Sequence, residues 1–109
     1  MKIDERTQIA KNIFDEVLKI SESKGKAYAG EGDSLANFKR NAERLGLSKY
    51  QVFGVYFNKH IDSINNAISQ NPDKPVDKTE GLHGRIVDAV TYLCILDALL
   101  IEDNNNEDK

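Results

Sequence analysis

The chain has 109 residues, of which 30% are charged, with a net charge of −3 and a single cysteine, Cys94. That length fits one domain, the lone cysteine excludes an internal disulfide and a cysteine-rich zinc site, and no apolar run is long enough to span a membrane. Residues 1–30 are charged throughout, so no signal peptide is expected, and the reading is of a soluble, cytoplasmic protein.

The charge is unevenly spread. Residues 34–71 hold five basic groups (Lys39, Arg40, Arg44, Lys49, Lys59) against two acidic ones (Glu43, Asp62), whereas residues 72–109 hold nine acidic groups against four basic. A basic middle suits phosphate and an acidic C-terminal part repels a long polyanion. A small anionic ligand is therefore expected in preference to duplex DNA.

In chain order, Ala10, Ile13, Val17 and Ile20 recur on one face, with Phe14 and Leu18 beside them, and predict a helix over 4–24. Ser23-Lys24-Gly25-Lys26 is expected to end it, and Tyr28 to Asp33 (YAGEGD) reads as a loop leading into a helix N-terminus, a natural anion site. A second helix begins near Ser34, with Leu35, Phe38, Ala42 and Leu45 as its buried side. Asn37, Arg40, Asn41 and Arg44 lie opposite, and Gly46 takes the C′ position. Ser48-Lys49-Tyr50-Gln51 is a capping box that opens a third helix running to about Ser69, with Leu47 placed as its staple residue. The connector Asn71 to Lys78 holds both prolines. Asp77 and Glu80 have N-cap and N3 spacing for a fourth helix that continues to about Glu102. Between Ile86 and Ile101 this helix is apolar on nearly every side, more than three neighbours easily cover, so a homo-oligomer is expected. The domain is thus an all-α bundle of about four helices over 1–103, with a frayed acidic tail over 104–109.

Four features bear on chemistry. His60 falls on or beside the apolar stripe formed by Phe53, Phe57, Ile64 and Ala67 or Ile68, flanked by Lys59 and Asp62, and reads either as a satisfied core histidine or as part of a site. On the fourth helix Arg85 and Asp88 have ion-pair spacing, and Asp97 sits within YLCILDALL, where an unpaired carboxylate is costly. Glu80 and His83 form one E-x-x-H pair, whereas di-iron bundles use two such pairs plus two further glutamates, so no metal and no cofactor are expected. Cys94, among Leu93, Ile95 and Leu96, reads as an inert thiol.

Tyr28-Ala-Gly-Glu31, Asn37-Phe38-Lys39-Arg40, Gln51-Val52 with Val55-Tyr56 and Lys59-His60, and Gly84-Arg85-Ile86-Val87-Asp88 with Tyr92-Leu93 resemble small phage and prophage proteins of the nucleotide-modification-associated domain family, over roughly residues 9–100. The resemblance implies a phage origin, the host cytoplasm as location and a nucleotide connection. More distantly, Asp88 followed by Tyr92-Leu93 is similar to the end of the E-x-x-D helix of all-α MazG-type nucleoside triphosphate pyrophosphohydrolases. Those enzymes hold magnesium on carboxylates of two helices. This chain departs from them, with Arg85 at the position of the first acidic residue and no E-E-x-x-E helix. A cation there opposes Mg²⁺ and favours phosphate.

The expected function is binding of a nucleotide or nucleotide-derived small molecule, serving pool modulation or sequestration of a host defence signal. Arg40, Lys59, His60 and Arg85 would supply positive charge, Asn37, Asp62 and Asp88 would take ribose or base polar atoms, and Tyr28 would stack on a base. One alternative is a divergent pyrophosphohydrolase binding magnesium through Glu80, His83, Asp88 and an acidic residue of the first helix such as Glu16. The other is a helical adaptor for a host protein.

Overall fold

The structure, a computed structural model, describes residues 1–29, 32–77 and 81–107, excepting the side chains of 24–29 and 107. Four helices, α1 (Ile3–Ala29), α2 (Ala36–Leu45), α3 (Lys49–Gln70) and α4 (Leu82–Glu107), make up the all-α bundle, with no strand among the described residues. None of them is long and apolar enough to cross a membrane.

The first helix does not stop at Ser23 to Gly25 but continues to Ala29. One glycine inside a helix costs only about 1 kcal/mol, and the lysines and alanines around Gly25 are good helix formers. Tyr28 and Ala29, expected in a loop, therefore have helical backbone, while Gly30 and Glu31 lie outside the described residues. Asp33 shapes the entry to α2: its Oδ1 accepts from the Leu35 N–H at 2.9 Å and its carbonyl from the Ala36 N–H at 3.1 Å, so the helix begins two residues after Ser34. It ends at Gly46, whose φ of 67° only glycine adopts at little cost. The Gly46 N–H reaches the Glu43 carbonyl and the Leu47 N–H reaches that of Ala42, the paired bonds of a Schellman motif.

The capping box on α3 is present in both directions: the Gln51 N–H reaches Ser48 Oγ at 3.1 Å, and the Ser48 N–H reaches Gln51 Oε1 at 2.8 Å. The fourth helix starts differently from the expectation. Its lead-in is Gly81 at φ 81°, whose carbonyl accepts from the Arg85 N–H. Asp77 is no cap, and Glu80 lies outside the described residues. At the other end the helix runs on through the expected tail to Glu107.

Helices α3 and α4 pack antiparallel. Tyr50 and Lys49 at the start of α3 meet Leu99 and Asp103 near the end of α4, and His60 meets Arg85 near its start. Between them lies the core of Phe38, Val52 and Phe53, against which Ala42, Tyr56, Phe57, Tyr92, Ile95 and Leu96 pack. Tyr92 joins three helices there, with ring centroids 6.4 Å from Phe38, Phe53 and Tyr56 and 5.3 Å from His60. The expected stripe on α3 is the buried one: Phe53, His60 and Ala67 are buried, with Phe57 and Ile64 half-buried.

Two apolar surfaces stay uncovered. Among the described side chains of α1 only Val17 is buried; Phe14 is 55% and Leu18 61% exposed, and residues 1–12 are exposed throughout. The radius of gyration is 16.2 Å, against about 13 Å for a compact domain of this size, because α1 extends past the bundle. On α4, Ile86, Leu93, Leu100 and Ile101 are exposed, and Asp97, expected to need a buried partner, lies exposed among them. Leu99 is wholly buried and Leu96 packs on the core.

Leu99→Ala is expected to destabilise the fold by about 2–5 kcal/mol, whereas Val55→Ala, on the exposed side of α3, stays within about 0.5 kcal/mol. Ser48→Ala costs about 1 kcal/mol by removing one half of the capping box. Urea denaturation of the three variants beside the wild type checks this order.

Candidate ligand-binding site

A buried arginine organises the site region. Arg85 is 7% exposed; its Nε donates to Asp77 Oδ2 at 3.0 Å, and its Nη1 lies 3.3 Å from His60 Nδ1. Guanidinium has no acceptor, so any hydrogen bond in this contact runs from Arg85 to the His60 ring nitrogen. Asp88 Oδ2 stands 3.8 Å from the same Nδ1, beyond hydrogen-bond range. The spacing on α4 suggests an Arg85–Asp88 pair, but the structure pairs Arg85 with Asp77 across the connector and leaves Asp88 turned toward an adjoining cavity.

That cavity, of about 310 Å³, opens between α1, α2 and α4. Its wall is largely apolar: Ile20 of α1, Leu35 just before α2, Phe38 of α2, and Tyr92, Ile95 and Ala98 of α4. Ser21, Ser34, Asn37, Asp88, Thr91 and Cys94 supply the polar atoms. The Asn37 Oδ1 accepts from Asn41 Nδ2 at 3.2 Å. The Thr91 hydroxyl donates to the Val87 carbonyl of its own helix at 2.9 Å. Cys94, expected to be buried in apolar surroundings, is exposed and lines this space.

The eight expected ligand-binding residues therefore separate. Asn37 and Asp88 line the cavity, and His60 and Arg85 form the buried network behind Asp88. Arg40, Lys59 and Asp62 are exposed on α2 and α3 and do not line it. The Tyr28 side chain lies outside the described residues. Of the magnesium set, His83 Nε2 and Glu16 Oε2 meet at 2.6 Å on the surface, and Glu80 lies outside the described residues. Among the described residues no three His, Cys, Asp or Glu side chains cluster as metal ligands. Sequence reasoning missed Ser34, Leu35, Phe38, Thr91, Ile95 and Ala98. The readable signal was the small set Asp88, Thr91, Cys94 and Ala98, at spacings of three and four along one side of α4.

Two of the five basic groups in the middle of the chain pair with its acidic end. Lys39 lies 2.5 Å from Asp33 and 2.7 Å from Glu102, and Lys49 lies 2.5 Å from Asp103, which also accepts from the Tyr50 hydroxyl. The hydrogen bond from Lys39, then that from the Leu35 N–H, holds the Asp33 carboxyl below its usual range. Lys49, then Tyr50, lowers that of Asp103. Asp33, then Glu102, raises the Lys39 ammonium.

Depressed carboxyls stabilise the fold above their unfolded values near pH ~3.9 and lose that contribution as pH falls through the lower native values. Thermal unfolding followed from neutral pH into acid should therefore fall less steeply for Asp33→Asn and Asp103→Asn than for the wild type. The effect is small because the pairs are solvated. Arg85→Ala leaves Asp77 buried without its cation and should cost about 3–5 kcal/mol by the same measurement at neutral pH. No family model, curated protein or solved structure matches this chain.

Proposed function

We propose that this protein binds a nucleotide or nucleotide-derived small molecule in the cavity between α1, α2 and α4. The observation that carries the reading is the makeup of that cavity: an apolar wall bearing the rings of Phe38 and Tyr92, joined to the hydrogen-bonding groups of Asn37 and Asp88. A mostly apolar cleft with a few polar groups is what small-ligand sites share, and about 310 Å³ lies at the lower end of their range. A planar base has apolar faces and a polar edge, and both halves of the site answer to it. The resemblance to phage proteins gives such binding its role, either modulating a nucleotide pool or withholding a defence signal from the host.

Isothermal titration with nucleosides and with mono-, tri- and cyclic nucleotides tests the reading; silence across that panel at high protein concentration would sink it. Ala98→Phe, which fills the cavity, should abolish binding while a two-state unfolding transition persists.

The chain is further proposed to self-associate through α4. Ile86, Val90, Leu93, Asp97 and Leu100 recur at alternating spacings of four and three, the period of a two-helix seam, and Ile86, Leu93 and Leu100 are exposed along it. Light scattering at micromolar concentration should report at least a dimer that Leu93→Glu converts to a folded monomer. Leu99→Glu should instead unfold the chain. A wild-type monomer removes this proposal and leaves the cavity reading untouched.

A further inference from the structure

We infer that the cavity recognises the uncharged part of its ligand, base and sugar, through a ligand N–H or O–H donated to Asp88, and that phosphate adds nothing to affinity. The inference rests on the nucleotide reading above and narrows it. Asp88 alone carries a charge among the described lining residues, and its side chain is 20% exposed. A carboxylate set in an apolar wall loses part of its hydration when the space fills, and only a hydrogen bond from the incoming molecule replaces it. A phosphate in the same place meets the carboxylate as like charge in a medium that screens poorly.

Among the described residues, Lys39 lies between Asp33 and Glu102, Lys49 lies on Asp103, and Arg85 is bonded to Asp77. The partner to Asp88 in the lining is the Asn37 amide, a donor whose own oxygen is already taken by Asn41. Acceptor and donor together match the edge of a nucleobase, whose faces have Phe38 and Tyr92 to lie against. Behind Asp88 the Arg85–His60 contact holds α4 against α3, so the acceptor is positioned before the ligand arrives.

The experiment is isothermal titration of the four common ribonucleosides and of their 5′-mono- and triphosphates, at low and at high salt, on the wild type, Asp88→Asn and Asn37→Ala. Alkylation of Cys94 by iodoacetamide is followed in parallel, since this exposed thiol lines the cavity and is the chain's single cysteine. The expected result is a nucleoside that binds at least as tightly as its phosphates, with little salt dependence, and that protects Cys94. Its affinity falls about tenfold or more in Asp88→Asn, or in Asn37→Ala should the first variant fail to fold. A triphosphate that binds tenfold tighter than its nucleoside, with steep salt dependence, overturns the inference and leaves the nucleotide reading standing. So does nucleoside binding that leaves Cys94 unprotected or is unchanged in both folded variants. Absence of binding by every compound overturns both.

Discussion

A guanidinium taken out of water has to be neutralised where it sits, and the arrangement of this protein's second half follows from meeting that need at Arg85. Asp77 supplies the charge, which ties the proline-bearing connector back onto the first turn of α4. The Nη1 of Arg85 lies against His60 of α3, so that α3, the connector and α4 share a polar junction beside the apolar core. Because Arg85 takes its anion from the connector, Asp88 is not consumed by the pair its spacing suggests. The carboxylate released in this way faces the cavity. One electrostatic requirement therefore determines both how the helices meet and where an acceptor is available to a ligand.

The opposite end of the α3–α4 pair is held by charge of another kind. Lys39 and Lys49 belong to the basic middle of the chain, Glu102 and Asp103 to its acidic end, and antiparallel packing brings the two together at the surface. Such solvated pairs contribute little stability individually. Their larger consequence is for function, since two of the cations that a phosphate reading depends on already have partners. Charge segregation along a chain suggests a polyion partner only while the segments stay apart; folded against each other, they partner themselves.

The cavity arises from side-chain size. Thr91, Cys94 and Ala98 are small where α4 faces α1 and α2, so the larger Ile20, Leu35 and Phe38 stand around a space rather than filling it. Burial elsewhere is concentrated along α3 and the facing side of α4, while among its described side chains α1 contributes one buried residue, Val17. The helix that covers the cavity is thus also the one most lightly held, and access to the site is governed by the weakest packing in the molecule.

Local chemistry accounts for what was legible in the sequence. The Ser48–Gln51 box, the Gly46 terminus and the buried stripe of α3 depend on residues within a few positions of one another, so the four-helix, all-α organisation and the burial of His60 follow from spacing alone. Residues far apart in the chain decided the rest. Asp77 looks like a cap when only Glu80 is considered, and becomes an ion-pair partner once Arg85 is buried against it. Asn37 belongs to the polar side of α2 by periodicity, yet lines the cavity because α1 and α4 close over that side. Cys94 and Asp97 look buried within YLCILDALL, and both are exposed, Cys94 in the open cavity and Asp97 among the exposed apolar residues of α4. Periodicity shows which residues share a face of a helix; which face is covered, and which charge meets which, is a property of the packed assembly, because burial and Coulomb energy depend on distance in space and not on separation along the chain.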